Sequence, residues 1–136
     1  GRLDKDSTGL LLLTNDGRIH HRLSHPSFDH EKEYEVTVQW PIDDAGLAAM
    51  AAGISLSGVA TRPARIRRIA GRVFRIVLME GRNRQIRRMV QQVGNRVVEL
   101  HRIRVADVTL GRLPKGAWRR LTRAETRQLL DRLQLK

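Results

Sequence analysis

Three groups of side chains in this chain have the types and spacing that chemistry asks for. The first is a single carboxylate, Asp4, in the run Gly1-Arg2-Leu3-Asp4-Lys5-Asp6-Ser7-Thr8-Gly9, a polar loop bounded by glycines. Leu10 to Leu13 and an Asn15-Asp16-Gly17 turn follow it. A short loop beside an apolar strand is a rigid mount for a reactive group, and an ionised carboxylate there can act as a nucleophile. An aspartate in a loop also serves as a turn former or a helix cap, and its position alone does not choose between these roles. Asp6 and Asp16 read as loop and turn residues rather than as partners of Asp4.

The second group is Glu80-Gly81-Arg82-Asn83-Arg84-Gln85-Ile86-Arg87-Arg88-Met89, a glycine turn opening into a helix start loaded with arginine. Free N–H groups and the positive end of the dipole make such a start attractive to anions. An ordinary amphipathic helix with a solvated basic face would explain the periodicity, but not the glycine hinge or the arginine crowding at one end. The Gly-Lys-Ser/Thr of a nucleotide-binding loop is missing. The third group is His21, His25, Asp29 and His30, conceivable metal ligands. They surround a Pro-containing loop and read better as polar surface, so no metal site is expected.

The elements that must position these groups follow from pattern. Leu10 to Leu13, too short for an independent helix, read as a buried strand. Arg18 to Ser24 read as a short helix closed by Pro26. Glu33 to Trp40 alternate, with Tyr34, Val36, Val38 and Trp40 on one face: a half-buried strand. Asp43 or Asp44 can cap a helix through Met50 that ends at Gly53. Val59 to Ala70, with Pro63, reads as an edge strand or extended loop. Val73 to Met79 is a central strand, and Asn83 to Val93 a helix with Ile86, Met89, Val90 and Val93 on one face. Val97 to Leu110 supply one or two strands, and Thr122 with Glu125 forms a capping box for a last helix carrying Leu129, Leu130 and Leu133. The class is α+β with mainly antiparallel pairing, because helices do not alternate strictly with strands.

Composition narrows the partners. At 136 residues the chain fits one domain with a real core. It has no cysteine, which excludes disulfides and thiolate metal sites and suits the cytoplasm. No apolar run approaches the roughly 18 residues of a membrane span, so no membrane partner is expected. The net charge is +12, carried by 22 arginines and only 4 lysines. Thirteen of those arginines lie between Arg62 and Arg104 against Glu80 and Glu99 alone. Such clustering repels itself unless a polyanion binds it, and guanidinium forks suit phosphate oxygens. A solvated basic surface is the alternative; the clustering favours nucleic acid.

Taken together, the Asp4 loop, Lys32-Glu33-Tyr34, the Gly81 to Met89 turn-helix and Val98-Glu99-Leu100-His101-Arg102 resemble, in order and spacing, the RsuA-like family of ribosomal RNA pseudouridine synthases. Leu113-Pro114-Lys115-Gly116-Ala117-Trp118-Arg119 is similar to the family's ending, so the resemblance covers essentially the whole chain. It implies a pseudouridine synthase fold, a mixed sheet flanked by helices, and the isomerisation of uridine to pseudouridine in ribosomal RNA, the large-subunit RNA by the short spacing between motifs. It implies no cofactor, since no group is lost and no redox occurs. Carried over position by position, it makes Asp4 the catalytic aspartate, Tyr34 the active-site tyrosine, Arg87 the basic residue paired with the aspartate, and Leu100 the lining of the base pocket. An adjacent arginine would keep a buried carboxylate ionised, lowering its pKa by roughly 1–3 units. A uridine in folded RNA must be flipped out to meet Asp4, and the phosphate-contacting set is Arg2, Arg62, Arg65, Arg67, Arg82, Arg84, Arg88 and Arg102.

A non-catalytic RNA-binding or ribosome-assembly module would keep the same fold and basic face, and a metal-dependent nuclease ranks behind both. The family carries further catalytic-domain sequence before the aspartate motif, and often a small N-terminal RNA-binding domain. Residues 1–136 are therefore expected to be an N-terminally truncated catalytic domain, a fragment or processed chain, with an uncovered sheet edge or core face. Weak or no activity alone is expected, and a monomer, with an artificial dimer through the exposed edge as the alternative.

Overall fold

The computed structural model describes residues 2–25 and 27–135, so the expected role of Pro26 as a helix stop lies outside the described residues. In chain order the elements are β1 (Thr8–Gly9), α1 (Gly17–Ser24), β2 (Lys32–Val38), α2 (Asp44–Ala52), β3 (Ser55–Leu56), β4 (Val59–Ala60), β5 (Arg65–Ala70), β6 (Val73–Leu78), α3 (Gln85–Gln92), β7 (Val97–Val105), β8 (Val108–Thr109) and α4 (Arg123–Arg132). The main sheet runs β1-β7-β2-β6-β5, with β8 paired to β7, and β3 and β4 form a separate hairpin. Every pairing in the main sheet is antiparallel except β1 with β7. This is the expected α+β class with a mainly antiparallel sheet.

The alternation of β2 sorts its side chains as the pattern predicts. Val36 and Val38 are fully buried, and Tyr34 packs against the same cluster. That cluster joins Phe74 and Ile76 of β6 and Leu100 of β7 to Leu47 and Met50 of α2 and Ile86, Met89 and Val90 of α3. Helices α2 and α3 thus cover one face of the sheet. The opposite face of β2 carries Glu33 and Glu35, which pair with Arg104 and Arg75 of the neighbouring strands.

Two sequence expectations meet a different outcome. Leu10 to Leu13 do not form a buried strand: β1 is only Thr8–Gly9, and beyond the bond from Leu10 N to Arg102 O the segment is extended and unpaired. Leu10 is buried, whereas Leu13 is 85% exposed. A strand needs a neighbour for its backbone, and no described strand flanks this segment on its outer side. The second concerns Trp40, which lies past the end of β2 and is exposed. Asn95 takes over the ladder there, its side chain accepting from Trp40 N and donating to Trp40 O.

Candidate active site

Asp4 sits in a turn closed by the bond from Ser7 N to Asp4 O, 3.0 Å. Its loop is fastened on two sides. On the sheet side, Gly9 crosses the backbone of Arg102 so closely that a Cβ would meet Arg102 O at 2.2 Å, with φ +113°. Only glycine accepts that crossing and that torsion. The Thr8 hydroxyl hydrogen-bonds His101 Nδ1 at 2.8 Å. The Arg102 guanidinium donates through Nε to Leu10 O (2.8 Å) and through Nη1 to Arg2 O (3.5 Å), so one side chain holds both ends of the loop.

On the helix side, the start of α3 supplies two arginines. Arg87 Nη2 donates to Asp6 O (3.0 Å) and Ser7 Oγ (3.2 Å) and lies 3.3 Å from the Asp6 carboxylate. Arg84 grips both carboxylate oxygens of Asp6, at 3.2 and 3.1 Å, and reaches within 4.0 Å of Asp4 Oδ2. The Arg84 hydrogen bond is the main cause that holds the Asp6 carboxyl below its ordinary pKa. Asp4 itself accepts no side-chain hydrogen bond among the described residues and is 38% exposed. The loop is therefore clamped through Asp6, while Asp4 stands beside positive charge with its oxygens free.

Of the four residues assigned to catalysis from the resemblance, two lie at this junction and two on the strands β2 and β7. Asp4 and Arg87 meet at the loop, although Arg87 bonds the two residues after Lys5 rather than the Asp4 carboxylate. Tyr34 of β2 is in register with Arg102 of β7, the residue that fastens the loop, so Tyr34 and the loop share a neighbour. Leu100, opposite Val36, is buried in the main core beneath.

The arginines divide differently from the sequence expectation. Arg102 is only 4% exposed and its guanidinium is engaged with backbone carbonyls, so it is corrected from a phosphate contact to a mount for the loop. Of the thirteen arginines between Arg62 and Arg104, seven pair with carboxylates: Arg62 with Asp29, Arg65 with Glu31, Arg68 with Asp44, Arg75 with Glu35, Arg84 and Arg87 with Asp6, and Arg104 with Glu33. All these partners lie outside the run, so the folded surface is less positive than the linear count. Arg82 donates to the carbonyls of Leu56 and Val59, and Arg88 to the Ser57 hydroxyl, tying the β3–β4 hairpin to α3. Arg67 and Arg2 are exposed and lie in no ion pair among the described residues.

Sequence reasoning missed Lys32. It shares the apolar face of β2 with Tyr34, and burial, with the nearby Arg102 charge, pushes its pKa down. A lysine two residues before a tyrosine on an otherwise apolar strand face was the available signal. Asp6, read as a mere loop residue, is the anchor of the clamp, and nothing in the local sequence shows that.

The histidines of the third group stack with one another: His21 lies 4.9 Å from His25 and 5.6 Å from Phe28, ring centre to ring centre. Among the described residues no three His, Asp or Glu side chains are placed to hold a metal ion. No described helix is long and apolar enough to cross a membrane. A groove of about 1320 Å³ runs beside the β1 edge, lined by Leu10 to Asn15, Leu110, Trp118 and Leu129, and wraps onto the face of β2 and β7 that bears Glu35 and His101.

Comparison with known proteins adds to this geometry. The family profile described as RNA pseudouridylate synthase matches residues 1–92. The dual-specificity RNA pseudouridine synthase RluF of Salmonella typhi is 47% identical over 122 residues, covering 90% of this chain and 42% of that protein. Ribosomal small subunit pseudouridine synthase A of Salmonella typhimurium is 44% identical over 128 residues, 92% of this chain and 55% of that protein. The chain thus spans about half the length of these curated relatives. A crystal structure of a pseudouridylate synthase superimposes with a TM-score of 0.90 at 42% identity, covering 95% of this chain and 57% of that one.

Proposed function

Because this chain belongs to the RNA pseudouridylate synthase family, we propose that it carries the catalytic part of an enzyme that isomerises uridine to pseudouridine in ribosomal RNA. The observation that supports this best is the clamped loop, which presents the Asp4 carboxylate 4.0 Å from the Arg84 guanidinium and without a side-chain hydrogen bond among the described residues. The reaction conserves every atom. The bond from C1′ to N1 breaks, the freed base turns, C1′ joins C5, and the proton lost from C5 is matched by one gained at N1. No redox partner or group acceptor takes part.

Asp4 serves as the carboxylate that attacks, or stabilises charge on, the sugar or base. The carboxylate is the form of this side chain that can attack. Tyr34 stacks on the base and brings a hydroxyl toward its ring carbon. Arg87 holds the loop through Asp6 and Ser7, and Leu100 backs the pocket with apolar surface. The uridine leaves its stack to reach Asp4, and the exposed arginines Arg2 and Arg67, joined by Arg62, Arg65, Arg82 and the half-buried Arg88, hold flanking phosphates. The short spacing between motifs is our ground for the large-subunit RNA. The setting is the cytoplasm and the working unit a monomer.

The test maps pseudouridine across ribosomal RNA from cells with and without the gene, and from cells carrying Asp4→Asn. One site that vanishes in both altered strains is expected, with RNA binding kept by the variant. Intact modification in the Asp4→Asn strain would favour a non-catalytic RNA-binding module on the same fold.

A further inference from the structure

Arg84 combines two features that the reading above does not use. Its backbone is left-handed, φ 49° and ψ 35°, at the N-cap of α3, a conformation that costs a non-glycine residue free energy. It also contributes no cap bond to its own helix: the side chain turns away from α3 and spends its fork on Asp6, across 78 residues of chain. A surface arginine whose task was to meet phosphate would need neither the torsion nor the carboxylate.

Resting on the assignment of Asp4 as the reactive carboxylate, we propose that Arg84 and Asp6 form a positioning pair. Arg84 is held in the left-handed conformation so that its guanidinium can grip the Asp6 carboxylate with both Nη atoms, which fixes the 4–7 turn and leaves Asp4 near positive charge but unbonded. Asp6 occupies the fork that would otherwise close on Asp4. Without Asp6, the same guanidinium, already 4.0 Å from Asp4 Oδ2, swings onto the reactive carboxylate and ties up the oxygen that must meet the nucleotide. Without Arg84, the turn loses its bidentate tether and keeps only the Arg87 contacts. Displacements of about 1 Å at a reacting group cost on the order of a hundredfold in rate.

The test uses the full natural protein and an RNA substrate identified by the mapping above, and it measures kcat and KM for Arg84→Asn, Arg84→Lys, Asp6→Asn and the double variant. Asparagine tolerates the left-handed torsion, so Arg84→Asn removes the grip without adding backbone strain. We expect kcat to fall by about tenfold to a hundredfold in Arg84→Asn and in Asp6→Asn, with KM changed less than about threefold. Arg84→Lys should recover part of the loss, and the double variant should be no worse than the poorer single one, since both changes break the same grip. A raised KM with kcat unchanged would make Arg84 a phosphate contact and overturn the proposal, as would fully additive losses. Wild-type protein and Asp4→Asn run alongside. If wild type makes no pseudouridine in any RNA, the functional assignment itself fails; if wild type is active, Asp4→Asn dead and Arg84→Asn normal, only the positioning pair fails.

Discussion

The two flanks of the sheet are built on different terms. Toward α2 and α3, the main cluster buries side chains from β2, β6, β7 and both helices, with Phe74, Met89 and Val90 fully enclosed. Along the β1 edge, the second cluster has only Leu10, Val105 and Val108 buried, and Leu11, Leu13 and Trp118 stay exposed around the groove. The Asp4 loop lies at the seam, gripped by α3 and β7 and open on its outer side. The loop thus draws its rigidity from the packed flank, while the open flank contributes apolar surface and little else.

The contrast sharpens with a paired measurement. Met89→Ala should destabilise the 136-residue chain by about 2–5 kcal/mol in urea unfolding, since it empties a filled core site, whereas Leu13→Ala should change it by less than about 0.5 kcal/mol. Equal effects would mean that the groove is a core in its own right. Gly9→Ala probes the seam itself. The added methyl collides with the backbone of Arg102, so a loss of about 1–3 kcal/mol is expected, along with slower turnover in the full protein.

How far the sequence carried these conclusions depends on whether a residue's partner was local. The alternation of Glu33 to Trp40, which holds as far as Val38, the helical spacing of Ile86, Met89 and Val90, and the Thr122–Glu125 capping box are short-range patterns that appear in the structure. Leu10 to Leu13 misled because four apolar residues say nothing about whether a strand is there to pair with them. The charge run overstates the free positive surface for a similar reason: the carboxylates that answer Arg62, Arg65, Arg75 and Arg104 come from Asp29 to Glu35, and only folding brings them alongside. Asp4 was legible through a motif, but the Asp6–Arg84 grip beside it spans the chain and has no local signature.

Those arginine pairs give a subtler comparison. If about six arginines contact phosphate, log affinity for single-stranded RNA should fall with log salt at a slope near −4. Replacing Arg67 and Arg88 with Ala should flatten that slope by about 1.4. Replacing Arg62 and Arg65, already answered by Asp29 and Glu31, should flatten it by less than half as much; indistinguishable changes would erase the distinction.

The smallest effect is expected in acid. Asp16 and Glu125, which cap α1 and α4 beside the groove, are held down to about 2, chiefly by hydrogen bonds from Arg18 and Arg119. Their ordinary values are 3.8 and 4.5, so they stabilise the fold above that range and lose the contribution as pH falls toward 2. The first turn of α3 has no acidic residue to protonate. Amide exchange followed down this range should show α1 and α4 fraying before α3; the reverse order would place the weaker flank on the wrong side.

The Arg102 staple has a kinetic corollary. Because one guanidinium holds the carbonyls of Arg2 and Leu10, and its own backbone oxygen takes the Leu10 amide, neither end of the reactive segment owns a separate hinge. The segment releases as a unit, when the middle of β7 and the start of α3 let go together. Opening of that unit is therefore bound to the sheet's own breathing, a rare event, and the Asp4 carboxylate stays where the sheet sets it.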